Sequence, residues 1–198
     1  MAKILVFGGL GSDILFSDTV RDQALHDARS LEAQLLAETC HKVFLEEVRL
    51  ASPQSDDATI IDLSDFRRPH DIIQPSQRYH HHPVVQHATL SLLQLLRYQS
   101  HGLATPGSNI QETVAVSGFC AGLFTSAAVA TSQSSLQYLA RAEQCFRAAV
   151  MLGIVCEQAR KRIKLFQTSS PWSLVVGSID ERDISQLIAT YSATKVSN

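Results

Sequence analysis

The most informative absence in this chain is positional. Its eight histidines are His26, His41, His70, His80, His81, His82, His87 and His101, and none follows His101. Other shortages exclude whole classes of function. No apolar run reaches the ~20 residues that a membrane-spanning helix needs. A net charge of −2 gives no electrostatic case for nucleic acid or an anionic membrane as partner. The opening MAKILVFGG is too short and too strand-like for a secretory signal. The four cysteines, Cys40, Cys120, Cys145 and Cys156, have no C-x-x-C spacing, so reduced thiols in a cytoplasmic setting are expected, with no metal site among them. Repeats and low-complexity segments are absent. Hydrophobic residues at 45% and charged residues at 18% are those of a globular chain, and 198 residues suffice for one domain, 1–198, with a sizeable core.

What is present centres on residues 112–131, ETVAVSGFCAGLFTSAAVAT. Thr113 to Val116 read as a short buried strand, and an alanine-rich helix follows a turn at Cys120. Gly118-Phe119-Cys120-Ala121-Gly122 has the spacing of a nucleophile elbow, G-x-C-x-G, with cysteine in the place of serine. The spacing has a steric reason: a nucleophile lifted from a strand on a tight turn needs small neighbours, so that strand and helix can approach. A helix N-terminus aimed at the thiol favours the thiolate and offers N–H groups to an oxyanion. Cys40, Cys145 and Cys156 fall in helical patterns and read as core or helix-face residues.

Along the chain, Lys3 to Phe7 is an apolar strand running into Gly8-Gly9-Leu10-Gly11-Ser12. The loop lacks both glycine-rich nucleotide patterns, since position 14 is Ile14 where the dinucleotide motif requires glycine. A backbone N–H offered to an oxyanion, or a plain tight turn, fits it better. A helical pattern containing a break covers about Thr19 to Val48, with Leu25, Ala28, Leu31, Leu35, Cys40, Val43 and Phe44 recurring at three- and four-residue steps. His26 and His41 read as surface or hydrogen-bonded helix residues. Residues 51–79 read as loop, with a turn of helix near Ile60 to Leu63.

Tyr79-His80-His81-His82-Pro83 leads into a helix with Val84, Val85, Ala88, Leu92, Leu95 and Leu96 on its buried face. Three adjacent histidines diverge in an extended chain, and His82, Gln86 and His87 do not supply the i, i+4 histidines and carboxylate of a helical metal site. A loop lining a cleft, or a solvated loop, remains. After a break at Ser132-Gln133-Ser134-Ser135, a helix runs from Leu136 to Arg162. Trp172 to Val176 read as a third strand, and Asp180 caps a last helix to Tyr191. Strands alternating with helices predict an α/β fold with a parallel sheet.

A cysteine nucleophile needs a base, and elbow enzymes place theirs after the nucleophile in the chain. Here the base comes from the His80–His82 loop, or the protein is inactive, or the base lies beyond this chain. Taken together, FGGLGS, HHHPVVQHATLSLLQLLRY, VSGFCAGLFTSAAVA and WSLVVGSIDERDI resemble the starter-unit acyltransferase domain of fungal non-reducing polyketide synthases. That family is similar in fold to malonyl-CoA:acyl-carrier-protein transacylases, with an α/β-hydrolase-like large subdomain and a ferredoxin-like small one. The resemblance implies that Cys120 carries an acyl group as a thioester. The donor would be acyl-CoA or the carrier protein of a fatty acid synthase or other synthase, and the acceptor the phosphopantetheine thiol of an acyl carrier protein. No bound cofactor is implied. Ala121, with Gly9 and Leu10, would supply the oxyanion N–H groups, and Phe119 and His82 would line the acyl pocket. Related transacylases often carry Gln at the position of Leu10, a change that a backbone donor survives. The match covers the family's first half, so the small subdomain and catalytic histidine would belong to the remainder of a polyketide synthase, and the chain alone would be inactive and prone to self-association.

Two other readings stay open. A cysteine hydrolase of the dienelactone-hydrolase type shares G-x-C-x-G and could use Asp180 or Asp183 as its acid, but its histidine is missing. A non-catalytic remnant that binds acyl groups or carrier protein would keep the pocket without turnover.

Overall fold

Five of the six α-helices among the described residues begin where a serine can accept, or a proline can spare, the N–H groups that a first turn leaves unpaired. The computed structural model describes residues 3–10, 13–51, 61–103 and 113–162. Ser17 opens α1 (Asp18–Asp27), its Oγ accepting from the Val20 N–H at 3.4 Å. Ser30 Oγ accepts from the Ala33 N–H at 3.1 Å and opens α2 (Leu31–Ala51), which is the break expected in the long helical pattern. Pro69 starts α3 (Pro69–Ile73), and Pro83 starts α4 (Pro83–Tyr98). α5 (Gly122–Ala130) follows the elbow. Ser134 Oγ accepts from the Gln137 N–H at 3.2 Å at the head of α6 (Ser135–Arg162).

Two strands, β1 (Lys3–Phe7) and β2 (Thr113–Gly118), pair in parallel with Phe7 opposite Gly118. Helices and a two-stranded parallel sheet make this a mostly helical α/β unit. The unit is continuous over Met1–Ile163, and no helix among the described residues is long and apolar enough to cross a membrane. The expected strand at Trp172 to Val176 and the helix from Asp180 lie outside the described residues. Leu5, Phe7 and Val116 pack against the core, whereas Ile4 and Val6 are 68% and 60% exposed on the other face. The strand expected to be buried, at Thr113 to Val116, has Ala115 exposed and Val116 half-buried, and β1 shows the same alternation, which puts only every second side chain inside this unit.

The core lies where α4 and α6 pack together and against α2 and α5. Leu92, Leu95 and Leu96 of α4 and Tyr138, Phe146 and Val150 of α6 are fully buried. Tyr138 donates its hydroxyl to the Leu95 carbonyl at 2.8 Å, which satisfies the polar atom of this buried ring. Gly153 allows α6 to meet the start of α4. A Cβ there would stand 2.6 Å from the Val84 Cα. Every expected buried residue of α4 is buried. The expectation for α2 needs correction, because Leu31 and Leu35 are exposed and Ala33, Leu36, Ala37, Cys40 and Phe44 are inside. Ser30 restarts the helix, so the phase of the apolar stripe carried over from α1 is lost.

The stretch read as loop over 51–79 also needs correction within its described part. It holds two 3-10 turns (Leu63–Asp65 and Gln77–Tyr79) and α3. The Asp62 carboxylate accepts from the Ser64 N–H, the Asp71 carboxylate accepts from the Arg68 N–H, and Ile72 and Ile73 are buried. Thr89 Oγ1 donates to the Ile72 carbonyl at 2.8 Å and ties α3 to α4.

His87, on the buried side of α4, donates Nδ1–H to the Pro83 carbonyl at 2.8 Å. Burial pushes its pKa below the ordinary 6.5, against the smaller opposing pull of that hydrogen bond. A histidine held neutral in the fold contributes stability above its unfolded pKa, and that stability is lost as pH falls through and below this value. Urea unfolding between about pH 7 and pH 5 is expected to show stability falling with acid, and His87→Gln is expected to flatten that slope.

Candidate functional site

The elbow is built from the ends of both strands and the first turn of α5. Beyond β2, the Phe119 N–H donates to the Phe7 carbonyl at 2.9 Å, which extends the pairing with β1 by one residue. The chain then turns sharply. Cys120 has φ 52° and is the one non-glycine residue with positive φ among the described residues. A side chain in this left-handed conformation costs roughly 1–2 kcal/mol. The turn closes through Gly122 N–H to the Phe119 carbonyl at 2.9 Å and Leu123 N–H to the Cys120 carbonyl at 3.1 Å, and α5 begins.

The glycines of G-x-C-x-G each fill a place where no Cβ fits. On Gly118 it would lie 2.5 Å from the Gly122 carbonyl oxygen and 2.6 Å from Ser126 Oγ. On Gly122 it would lie 2.4 Å from the Phe7 oxygen and 2.5 Å from the Gly8 oxygen. Gly9 belongs to the same contact, for a Cβ there would fall 2.5 Å from the Cys120 Cβ and 3.3 Å from its Sγ. The N-terminal glycine loop and the cysteine turn, far apart in sequence, therefore touch. Of the expected oxyanion donors, Gly9 lies against Cys120 and Ala121 follows it. The N–H groups of Gly9, Leu10, Cys120 and Ala121 donate to no protein acceptor among the described residues. Cys120 and Phe119 are exposed, the latter at 64%, and Ala121 is buried beneath them.

The three adjacent histidines diverge. His80 stacks on Phe16 at 4.2 Å between ring centroids and places Nε2 3.3 Å from the Pro75 carbonyl. His81 is exposed, and His82 is buried with its ring edge-on to Tyr79 at 6.3 Å. Among the described residues no group of three histidine, cysteine or acidic side chains could hold a metal ion. His41, read as a hydrogen-bonded helix residue, is buried and donates Nε2–H to the Phe66 carbonyl at 2.7 Å. Asp180 and Asp183 lie outside the described residues.

One contact at the site has no counterpart in the sequence reading. Gln94 Nε2 on α4 donates to the Gly8 carbonyl at 2.7 Å. The only trace of it in the sequence is a lone amide between Leu92-Leu93 and Leu95-Leu96.

The other cysteines differ from Cys120 in their surroundings. Burial pushes the Cys40 thiol well above its ordinary range. Cys145 and Cys156 are half-buried and raised chiefly by the same cause, and the charge of Cys120 also acts on Cys156. The end of α6 thus lies within electrostatic reach of the elbow.

Comparison with known proteins places these residues in context. The family model described as "Starter unit:ACP transacylase in aflatoxin biosynthesis" matches residues 5–198. Orsellinic acid synthase of Beauveria bassiana (strain ARSEF 2860) is 35% identical over 159 residues, which is 78% of this chain and 7% of that protein. Orsellinic acid synthase armB of Armillaria mellea is 28% identical over 183 residues, 85% of this chain and 8% of that protein. The ArmB synthase of Armillaria ostoyae is 27% identical over the same length and the same shares. The chain therefore spans less than a tenth of the length of these relatives.

Two measurements check the geometry of the elbow. Because Cys120 holds positive φ, Cys120→Gly is expected to be more stable than Cys120→Ala by about 1 kcal/mol in urea unfolding. With limiting iodoacetamide near pH 8, peptide mapping is expected to find Cys120 alkylated first. Cys145 and Cys156 should gain on it as pH rises through their raised pKa values, and Cys40 should stay unlabelled until the chain unfolds.

Proposed function

The chain belongs to the starter unit:ACP transacylase family, and from that premise we propose that Cys120 carries a starter acyl group between two thiols in polyketide synthesis. The observation that carries the proposal is the pairing of a strained, exposed cysteine at the head of a helix with a glycine loop that touches it. In the first half-reaction the Cys120 thiolate attacks the carbonyl carbon of an acyl thioester, such as acyl-CoA or an acylated carrier protein. The carbonyl π pair moves onto oxygen, and that oxyanion is met by the N–H of Ala121 and the N–H of Gly9 or Leu10. Collapse expels the donor thiolate and leaves the acyl group on Cys120. In the second half, the phosphopantetheine thiolate of an acyl carrier protein attacks this thioester, and the Cys120 thiolate leaves. Each half exchanges one thioester for another, so little free energy is lost and the acyl group stays activated.

The N–H groups assigned to the oxyanion are ones that no protein acceptor among the described residues occupies. Phe119, exposed beside the thiol, supplies apolar surface for the acyl chain. Proton transfer to and from the thiols calls for a base, which we assign either to the His80–His82 loop or to a group outside the described residues.

Incubation with acetyl-CoA or hexanoyl-CoA, followed by intact-mass measurement, tests the proposal. One acyl adduct is expected, released by hydroxylamine and lost in Cys120→Ala. An unmodified chain after long incubation would overturn it, and release of free acid from an aryl or enol ester without an acceptor thiol would favour a hydrolase.

A further inference from the structure

Gln94 sits on α4, among leucines that are buried, and its side chain crosses to the glycine loop. Its Nε2 donates to the Gly8 carbonyl at 2.7 Å, while its Oε1 is buried and accepts from no group among the described residues. The carbonyl can only accept, so the contact fixes which end of the amide faces the loop. Leaving Oε1 dry and unmatched costs the desolvation of that atom. A leucine or methionine would avoid that cost but could not make the Gly8 contact, which only the amide supplies.

A trans peptide is planar, with its C=O and N–H pointing in opposite directions. Holding the Gly8 oxygen therefore sets the direction of the Gly9 N–H. Gly8 and Gly9 are both free of the Cβ that would otherwise restrict rotation, so the peptide between them can turn over at little steric cost. A turned peptide would present an oxygen where the donor belongs, and an oxygen repels an oxyanion. The Phe7 carbonyl accepts from Phe119, and the Phe7 and Gly8 carbonyls both crowd Gly122.

We propose that Gln94 is a positioning residue for acyl transfer, holding the Gly8–Gly9 peptide so that the Gly9 N–H serves the thioester oxyanion at Cys120. The inference rests on the acyl-transfer reading above. It acts through the loop and touches no substrate atom.

The test compares two reactions of Cys120 in the full chain, each resolved by peptide mapping. Acylation by p-nitrophenyl acetate passes through an oxyanion, whereas alkylation by iodoacetamide does not. Gln94→Met is expected to slow acylation about tenfold or more. It should leave alkylation within twofold and the thermal midpoint unchanged or raised. Equal acylation rates in the two proteins, or a parallel fall in both reactions, would overturn the proposal. Gln94→Glu adds a pH readout. Its carboxylate cannot donate, so the ratio of acylation to alkylation should be low at pH 8 and should recover as the carboxyl protonates. A ratio that stays flat across pH would count against the donor role. The ester needs no CoA site, so failure of acyl-CoA to label Cys120 would overturn the transfer reading while leaving this ratio as the measure of Gln94.

Discussion

Three backbone segments meet at the cysteine turn with no side chain between them: the end of β1, the end of β2 and the first turn of α5. Gly9 lies on Cys120, Gly118 lies under Gly122 and Ser126, and Gly122 faces the Phe7 and Gly8 carbonyls. Every one of these approaches is closer than a Cβ allows. The sheet pairing and the start of α5 both depend on that clearance, and so does the left-handed turn that exposes Cys120. The strain at this one residue is offset by the hydrogen bonds from Phe119, Gly122 and Leu123 and by the packing of α5 against both strands.

The helices behind the turn serve it mechanically. α4 and α6 pack together in the core, with Tyr138 bonded to Leu95 and Gly153 admitting close contact with Val84. On the same helix α4, Gln94 reaches the Gly8 carbonyl. The glycine loop is thereby tied to a core helix rather than left to its own preferences. One turn on from Gln94, Arg97 of α4 and His101 just past its end both approach the buried Asp27 carboxylate, at 3.2 and 3.3 Å, and anchor α1 to the same frame.

The elbow was legible in the sequence because its spacing is steric. G-x-C-x-G records which positions have no room, and that record survives in any order of reading. The starts of α4 and α6 were legible for a similar reason, since Pro83 and the break at Ser132-Gln133-Ser134-Ser135 mark local chemistry. Leu31 and Leu35 misled because periodicity carries no information about phase once Ser30 restarts the helix. Ile72 and Ile73 were hidden in a stretch rich in proline and aspartate, where a helix of five residues leaves no periodic signal. Gln94 and Gly8 could not be paired from sequence at all. Their contact joins a helix to a loop 86 residues away and leaves only an out-of-place amide.

The parallel pairing of β1 with β2 carries a consequence for how the molecule comes to exist. Its partners are separated by more than a hundred residues, with α1 to α4 in between. Closing so long a loop is entropically costly, and the cost is recovered only once the intervening helices have collapsed onto one another. The local helices can form first. The turn that exposes Cys120 has no glycine loop to rest on until the two strands pair. The contact between Cys120 and the glycine loop is in this sense a product of the long-range pairing of β1 with β2 rather than of the turn's own residues.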